Sequence, residues 1–149
     1  MVSFFYIIFV SRKETLTKLV MTQEEKKLIL KDLGGRLAFG VKCYIPEVDT
    51  TSILSAIQED GENTLYDFWE DDRKIRYGYQ LYTSEFKPYL FPLDKISGDM
   101  WSEYLTTCVG GNASFPTLKS FEWFNENHID FRGLIPKGLA LDATGLNIY

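Results

Sequence analysis

The sequence predicts an α+β fold with an N-terminal helix, an antiparallel meander of about four strands, and two C-terminal helices packed on that sheet. Three observations carry this. Thr22-Gln-Glu-Glu25 sets a hydroxyl three residues ahead of a carboxylate, the reciprocal cap of a helix start. From Arg73 to Thr83, Ile75, Tyr77, Tyr79 and Leu81 alternate with Lys74, Arg76, Gln80 and Tyr82, the period of two that a half-buried strand requires. Trp101, Tyr104, Leu105 and Cys108 recur at the spacing of one helical stripe.

Taken in order, residues 1–20 open with an apolar run, Val2 to Val10, far short of the roughly 18–20 residues that span a bilayer. Arg12 and Lys13 follow that run instead of preceding it, which does not suit a signal peptide. Residues 1–20 are therefore expected to be an upstream extension with Met21 as the functional start, or otherwise an extra edge strand, and 21–149 a single domain. A helix is expected from about Gln23 to Leu33, with Lys26, Lys27 and Lys31 outward and Gly34-Gly35 as its left-handed stop. Leu37 to Ile45 reads as the first strand, with Val41, Cys43 and Ile45 on the core face and Pro46 ending the ladder. Thr51–Gln58 and Thr64–Trp69 form the next pair, joined at Glu59-Asp60-Gly61-Glu62-Asn63, since Asp-Gly accepts positive φ readily. Lys87 to Leu93 holds two prolines, each lacking a ladder donor, and is expected to lie over the core as an edge segment. Ser97 caps a helix from about Asp99 to Cys108. Gly110-Gly111-Asn112 breaks the chain, and Thr117 opens a helix to about Asn127 that turns Leu118, Phe121 and Phe124 inward.

Composition narrows the function classes. A chain of 149 residues with 45% hydrophobic and 15% aromatic content can bury one core, and a net charge of -5 argues against a nucleic-acid backbone as partner. Stacking of bases on Tyr77, Tyr79 and Tyr82 is the weaker reading, because Tyr77 and Tyr79 share a face with Ile75 and Leu81. Cys43 and Cys108 both fall on core faces, as expected of thiols in a reducing cytoplasm. With one histidine and no cysteine pair, zinc is not expected. Nine acidic residues lie between Glu47 and Asp72 without a single Lys or Arg. Such a block is ordinarily a solvated face; its sharper reading is a docking surface for a basic protein, centred on Glu70, Asp71 and Asp72. The same three carboxylates suit a hard cation, but calcium-loop spacing is missing, so no metal or cofactor is assigned.

The run from His128 to Asp142 joins the lone histidine, Asp130, Arg132, and two glycines around Leu134-Ile135-Pro136, and is read as the structural lock of the fold. In extended geometry Asp130 and Arg132 point one way and Phe131 the other. They are expected to satisfy neighbouring backbone and each other, and the histidine to cap the preceding helix. The alternative is a small-ligand or enzymatic pocket at His128, Asp130 and Arg132.

Met21-Thr-Gln-Glu-Glu-Lys-Lys, Leu30-Lys-Asp-Leu-Gly-Gly-Arg-Leu-Ala-Phe-Gly-Val-Lys42, Lys87-Pro-Tyr-Leu-Phe-Pro-Leu and Phe131-Arg-Gly-Leu-Ile-Pro-Lys-Gly-Leu-Ala-Leu-Asp-Ala-Thr together resemble a family of small uncharacterised proteins of gut Bacteroidales and their phages. The resemblance implies no reaction, ligand or residue role. The sequence therefore reads as a small accessory protein of a bacterium or phage, non-enzymatic, cytoplasmic, and acting through protein contact at an acidic face.

Overall fold

The computed structural model describes residues 21–70, 79–109 and 117–149. The expected extension over 1–20, the segment 71–78 with Asp71, Asp72, Lys74, Ile75, Arg76 and Tyr77, and the break at Gly110-Gly111-Asn112 lie outside the described residues. The fold is α+β, with an N-terminal helix, a mixed sheet and two later helices.

Helix α1 (Gln23–Arg36) starts on the expected cap: Glu25 N donates to Thr22 Oγ1, and Thr22 N donates to Glu25 Oε2, both at 3.1 Å. It does not stop at Gly34-Gly35. Both glycines lie within the helix, which runs on to Arg36 and through a 3-10 turn, Leu37–Phe39, to a left-handed Gly40. That turn replaces the first half of the expected first strand. The extra helical turn is held by tertiary contacts. Arg36 is anchored from across the fold, and at Gly35 an added Cβ would meet Asn125 Nδ2 at 2.8 Å. Nothing approaches the corresponding position of Gly34 within 4 Å. Gly34→Ala is therefore expected to raise stability by about 0.5–1 kcal/mol, the usual helix-interior difference. Gly35→Ala displaces Asn125 and forfeits that gain. Paired thermal melts check this: the midpoint rises for the first variant only.

Strands β1 (Lys42–Ile45), β2 (Thr50–Asp60), β3 (Asn63–Glu70) and β4 (Tyr79–Leu81) form the antiparallel meander. Val41, Cys43 and Ile45 are buried, as their alternation requires. The β2–β3 turn is tight, with Asp60 opposite Asn63, and a bulge between Leu54 and Ala56 shifts the register.

Strand β5 (Lys87–Pro92) is interior, which corrects the expectation of an edge segment. It pairs antiparallel with β1 at Lys87 and Pro88, and parallel with β7 (Leu141–Asp142) at Tyr89 and Leu90. At Phe91 and Pro92 it pairs parallel with β6 (Ile129–Asp130). Three neighbours each use two residues, so a proline near either end removes a donor without breaking a continuous ladder. Phe91 N reaches His128 O at 2.8 Å, and Leu90 O accepts from Ala143 N at 2.8 Å.

Ser97 caps α2 (Gly98–Tyr104), which widens into a π-helical turn at Leu105–Val109. Only one edge of the expected stripe is inward. Tyr104 and Cys108 are buried, while Trp101 is 45% and Leu105 37% exposed. In α3 (Leu118–Glu126), capped by Thr117, the inward set is Ser120, Trp123 and Phe124. Of the residues expected inward, Phe124 is correct, whereas Phe121 is 38% and Leu118 76% exposed. Ser120, Trp123 and Phe124 lie at i, i+3 and i+4, so the buried face is centred on them and Leu118 falls nearly opposite.

Two apolar clusters result. Ile29 and Leu33 of α1 pack with Val41 and with the sheet residues Cys43, Leu54, Tyr66, Phe68 and Leu90. Tyr104, Cys108, Trp123, Phe124 and Ile129 form the second cluster, with Phe131 packed against it.

Candidate functional site

The seam between the two clusters is ionic. Asp32 and Arg36 lie one turn apart on α1, on the same face as Ile29 and Leu33, and both are fully buried. Arg36 Nε and Nη2 donate to the two oxygens of Asp32 at 2.8 and 2.9 Å. Nη2 also reaches Ile129 O at 2.6 Å, and Nη1 reaches Phe124 O at 3.3 Å. A planar guanidinium with donors on several sides suits this arrangement, in which one side chain ties α1 to α3 and β6.

Arg132 joins the same carboxylate, its Nε lying 3.4 Å from Asp32 Oδ1 without hydrogen-bond geometry. The guanidinium groups of Arg36 and Arg132 lie 5.5 and 4.6 Å from the centre of the Phe131 ring. Asp130 is occupied differently. Its Oδ1 accepts from Leu134 N at 2.8 Å and its Oδ2 from Ile135 N at 2.9 Å, fixing the turn that begins at left-handed Gly133. Arg132 thus pairs with a residue a hundred positions earlier, while Asp130 serves neighbouring backbone.

His128 follows α3 in a left-handed conformation, φ 57°, and is buried. Its ring stacks on Tyr149 with centroids 3.8 Å apart and planes 14° from parallel. Burial, reinforced by the nearby positive charges of Arg36 and Lys42, lowers its pKa from 6.5 to about 4. The imidazole is therefore neutral at physiological pH, and its Nδ1 has no hydrogen-bond partner among the described residues. Tyr149 is held in turn. Its hydroxyl accepts from Lys42 N at 2.9 Å and donates to Tyr89 O at 2.8 Å, while Lys42 Nζ donates to Ile148 O at 2.7 Å. His128, Asp130 and Arg132 thus have three separate sets of partners and do not converge on one substrate-sized point.

Burial raises the Cys43 thiol well above its ordinary pKa, with Asp32 adding to the effect. Cys108 is also raised, again chiefly by burial, and its thiol lies 3.6 Å from Lys119 O. Both are poor nucleophiles as placed.

The acidic block divides along the hairpin. Glu47 and Asp49 lie in the β1–β2 turn, at the end where Ser52 pairs with Glu70, while Glu59 and Glu62 lie at the opposite β2–β3 end. Eight residues of strand separate Ser52 from Asp60, roughly 25 Å at strand rise. Asp67, between them, bonds the Gln58 amide through Oδ2. The backbone of Glu70 ends β3. Asp71 and Asp72 follow it, outside the described residues.

Clefts among the described residues include two of similar volume. One, of about 590 Å³, separates α1 from the β2–β3 turn and has mixed charge, with Lys26 and Lys27 facing it beside Glu62. The other, of about 620 Å³, is bordered by Asp130, Trp101, Lys95, Ile135, Pro136 and Asp142; neither His128 nor Arg132 lines it.

Asp32, Arg36 and Tyr149 were missed by the sequence reading. A signal existed for the first two, since a charged pair at i, i+4 in register with Ile29 and Leu33 must point inward. Nothing local marks Tyr149. Among the described residues, no helix is long and apolar enough to cross a membrane, and no group of three or more His, Cys, Asp or Glu side chains is placed to hold a metal ion. Neither a family model, nor a curated protein, nor a solved structure matches the chain.

Proposed function

We propose that the protein acts without catalysis, as a small accessory protein in the cytoplasm of a bacterium or phage-infected cell. In this reading it works by contacting a protein with a basic surface. The observation that supports it is the commitment of the chemistry-bearing groups. Asp130 serves two backbone amides, Arg132 faces Asp32, His128 is neutral beneath Tyr149, and both cysteines are buried thiols. The docking end is the one that carries Glu47 and Asp49, where the backbone of Glu70 ends β3; Asp71 and Asp72 come next in the sequence. An exposed, one-signed surface speeds encounter with a basic partner and selects against acidic ones.

Reversal of Glu70, Asp71 and Asp72 to Lys should abolish capture of the partner from host extract, and salt should weaken capture by the wild type. Reversal of Glu59, Asp60 and Glu62 at the far end should leave it intact. Capture unchanged in both variants would refute the docking role.

The alternative reading, a small-ligand binder near His128, Asp130 and Arg132, draws its support from the cleft that Asp130 borders. Only one of those three residues reaches it, so any ligand there answers to other side chains.

A further inference from the structure

We propose that the cleft between the β5–α2 connection and the Gly133–Pro136 turn binds a neutral saccharide stacked on Trp101. Its volume, about 620 Å³, falls in the range of small-molecule sites. Trp101 lies against Tyr104, ring centroids 5.3 Å apart and planes 28° from parallel, yet remains 45% exposed. A supported indole that still meets solvent offers a flat, electron-rich surface, and the C–H face of a pyranose carries the complementary partial charge. Ile135 and Pro136 add apolar wall in the same cleft.

The polar groups set the ligand's charge and hydroxyl pattern. Lys95 Nζ donates to Asp142 Oδ2 at 3.0 Å, and Asp142 Oδ1 accepts from Thr144 N at 2.8 Å. The ammonium keeps two further donors and the carboxylate keeps free lone pairs, so donor and acceptor stand side by side. Vicinal hydroxyls, each able to donate and accept, match that pairing. An anionic ligand would meet Asp94, Asp130 and Asp142 around the single ammonium of Lys95, whereas a neutral one meets no like-charge repulsion. A cationic ligand would be better served by several aromatic faces, but Trp101 alone among the described residues that line the cleft is aromatic. Asp94 at the rim supplies another acceptor and disfavours an anionic sugar.

The test is a titration of the full chain, followed by the indole N–H resonances, with methyl β-D-glucopyranoside, methyl β-D-galactopyranoside and N,N′-diacetylchitobiose. Choline and glucuronate serve as charged controls. The expected result is a saturable shift of the Trp101 indole at millimolar concentrations of at least one neutral sugar. Trp101→Ala should weaken that binding about tenfold, the size of one aromatic contact, read from the backbone amide resonances of Gly133 and Ile135 in the same cleft. Lys95→Ala should weaken it as well, with the melting midpoint of either variant near that of the wild type. No shift with any neutral sugar at tens of millimolar, Gly133 and Ile135 amide shifts that keep wild-type affinity in Trp101→Ala, or a larger response to choline or glucuronate would each overturn the proposal.

Discussion

Asp32→Asn is expected to destabilise the protein by about 3–5 kcal/mol, the usual consequence of removing one partner of a buried ion pair. For a chain of this length, that lowers the melting midpoint by roughly 10 °C or more. The substitution leaves the Arg36 guanidinium fully buried without a counter-charge and also removes the carboxylate facing Arg132. Replacing the pair by Asp32→Leu with Arg36→Met should recover part of the loss, because the fully buried guanidinium of Arg36 goes with its partner, although Arg132 still loses the carboxylate it faces. Recovery stays incomplete, since Phe124 O and Ile129 O lose the donors that Arg36 supplies. Chemical denaturation of the three proteins gives the comparison directly. A loss under 1 kcal/mol for Asp32→Asn, on the scale of exposed pairs, would mean that the seam is open to water.

The second large effect depends on pH. The pKa of His128 is about 4 in the folded protein, against an ordinary 6.5, so the unfolded chain takes up this proton at higher pH than the native one. Stability from burying the neutral ring is complete above pH 6.5 and is lost progressively as pH falls through about 4. The gap corresponds to a loss on the order of 3 kcal/mol, at about 1.4 kcal/mol per pH unit. Carboxylates titrate across part of the same window, so the informative quantity is the difference between wild type and His128→Asn. Asparagine tolerates the left-handed backbone at this position and carries no titrating proton. The wild type should lose more stability than the variant between neutral and acid pH, and the two curves should run parallel above pH 7. Curves parallel throughout would show that the imidazole is not buried neutral.

Local chemistry was legible in the sequence, whereas long-range pairing was not. The caps at Thr22, Ser97 and Thr117 are all made, and Val41, Cys43 and Ile45 are buried, because spacing of a few residues fixes those outcomes. Strand β5 was misplaced because two prolines argue against an interior strand only when each neighbour needs a long ladder. Here each needs two residues. Helix α1 outlasts Gly34-Gly35 because Arg36 is held by Phe124 O and Ile129 O, partners far along the chain. On α3 several apolar residues compete for the inward face, and contact with Tyr104 favours Trp123 and Phe124 over Leu118. In the 128–142 run the residues were identified but not their partners: Asp32 for Arg132, Tyr149 for His128, and the cleft beside Asp130 with Trp101 at its border.

The most direct measurement follows the ring resonances of His128 through a pH titration of untagged protein. The chain holds one histidine, so the signal needs no assignment. A midpoint near pH 4 is the expected result. A midpoint close to 6.5, the value of an imidazole free in water, would place a working acid–base group where packed interior is described.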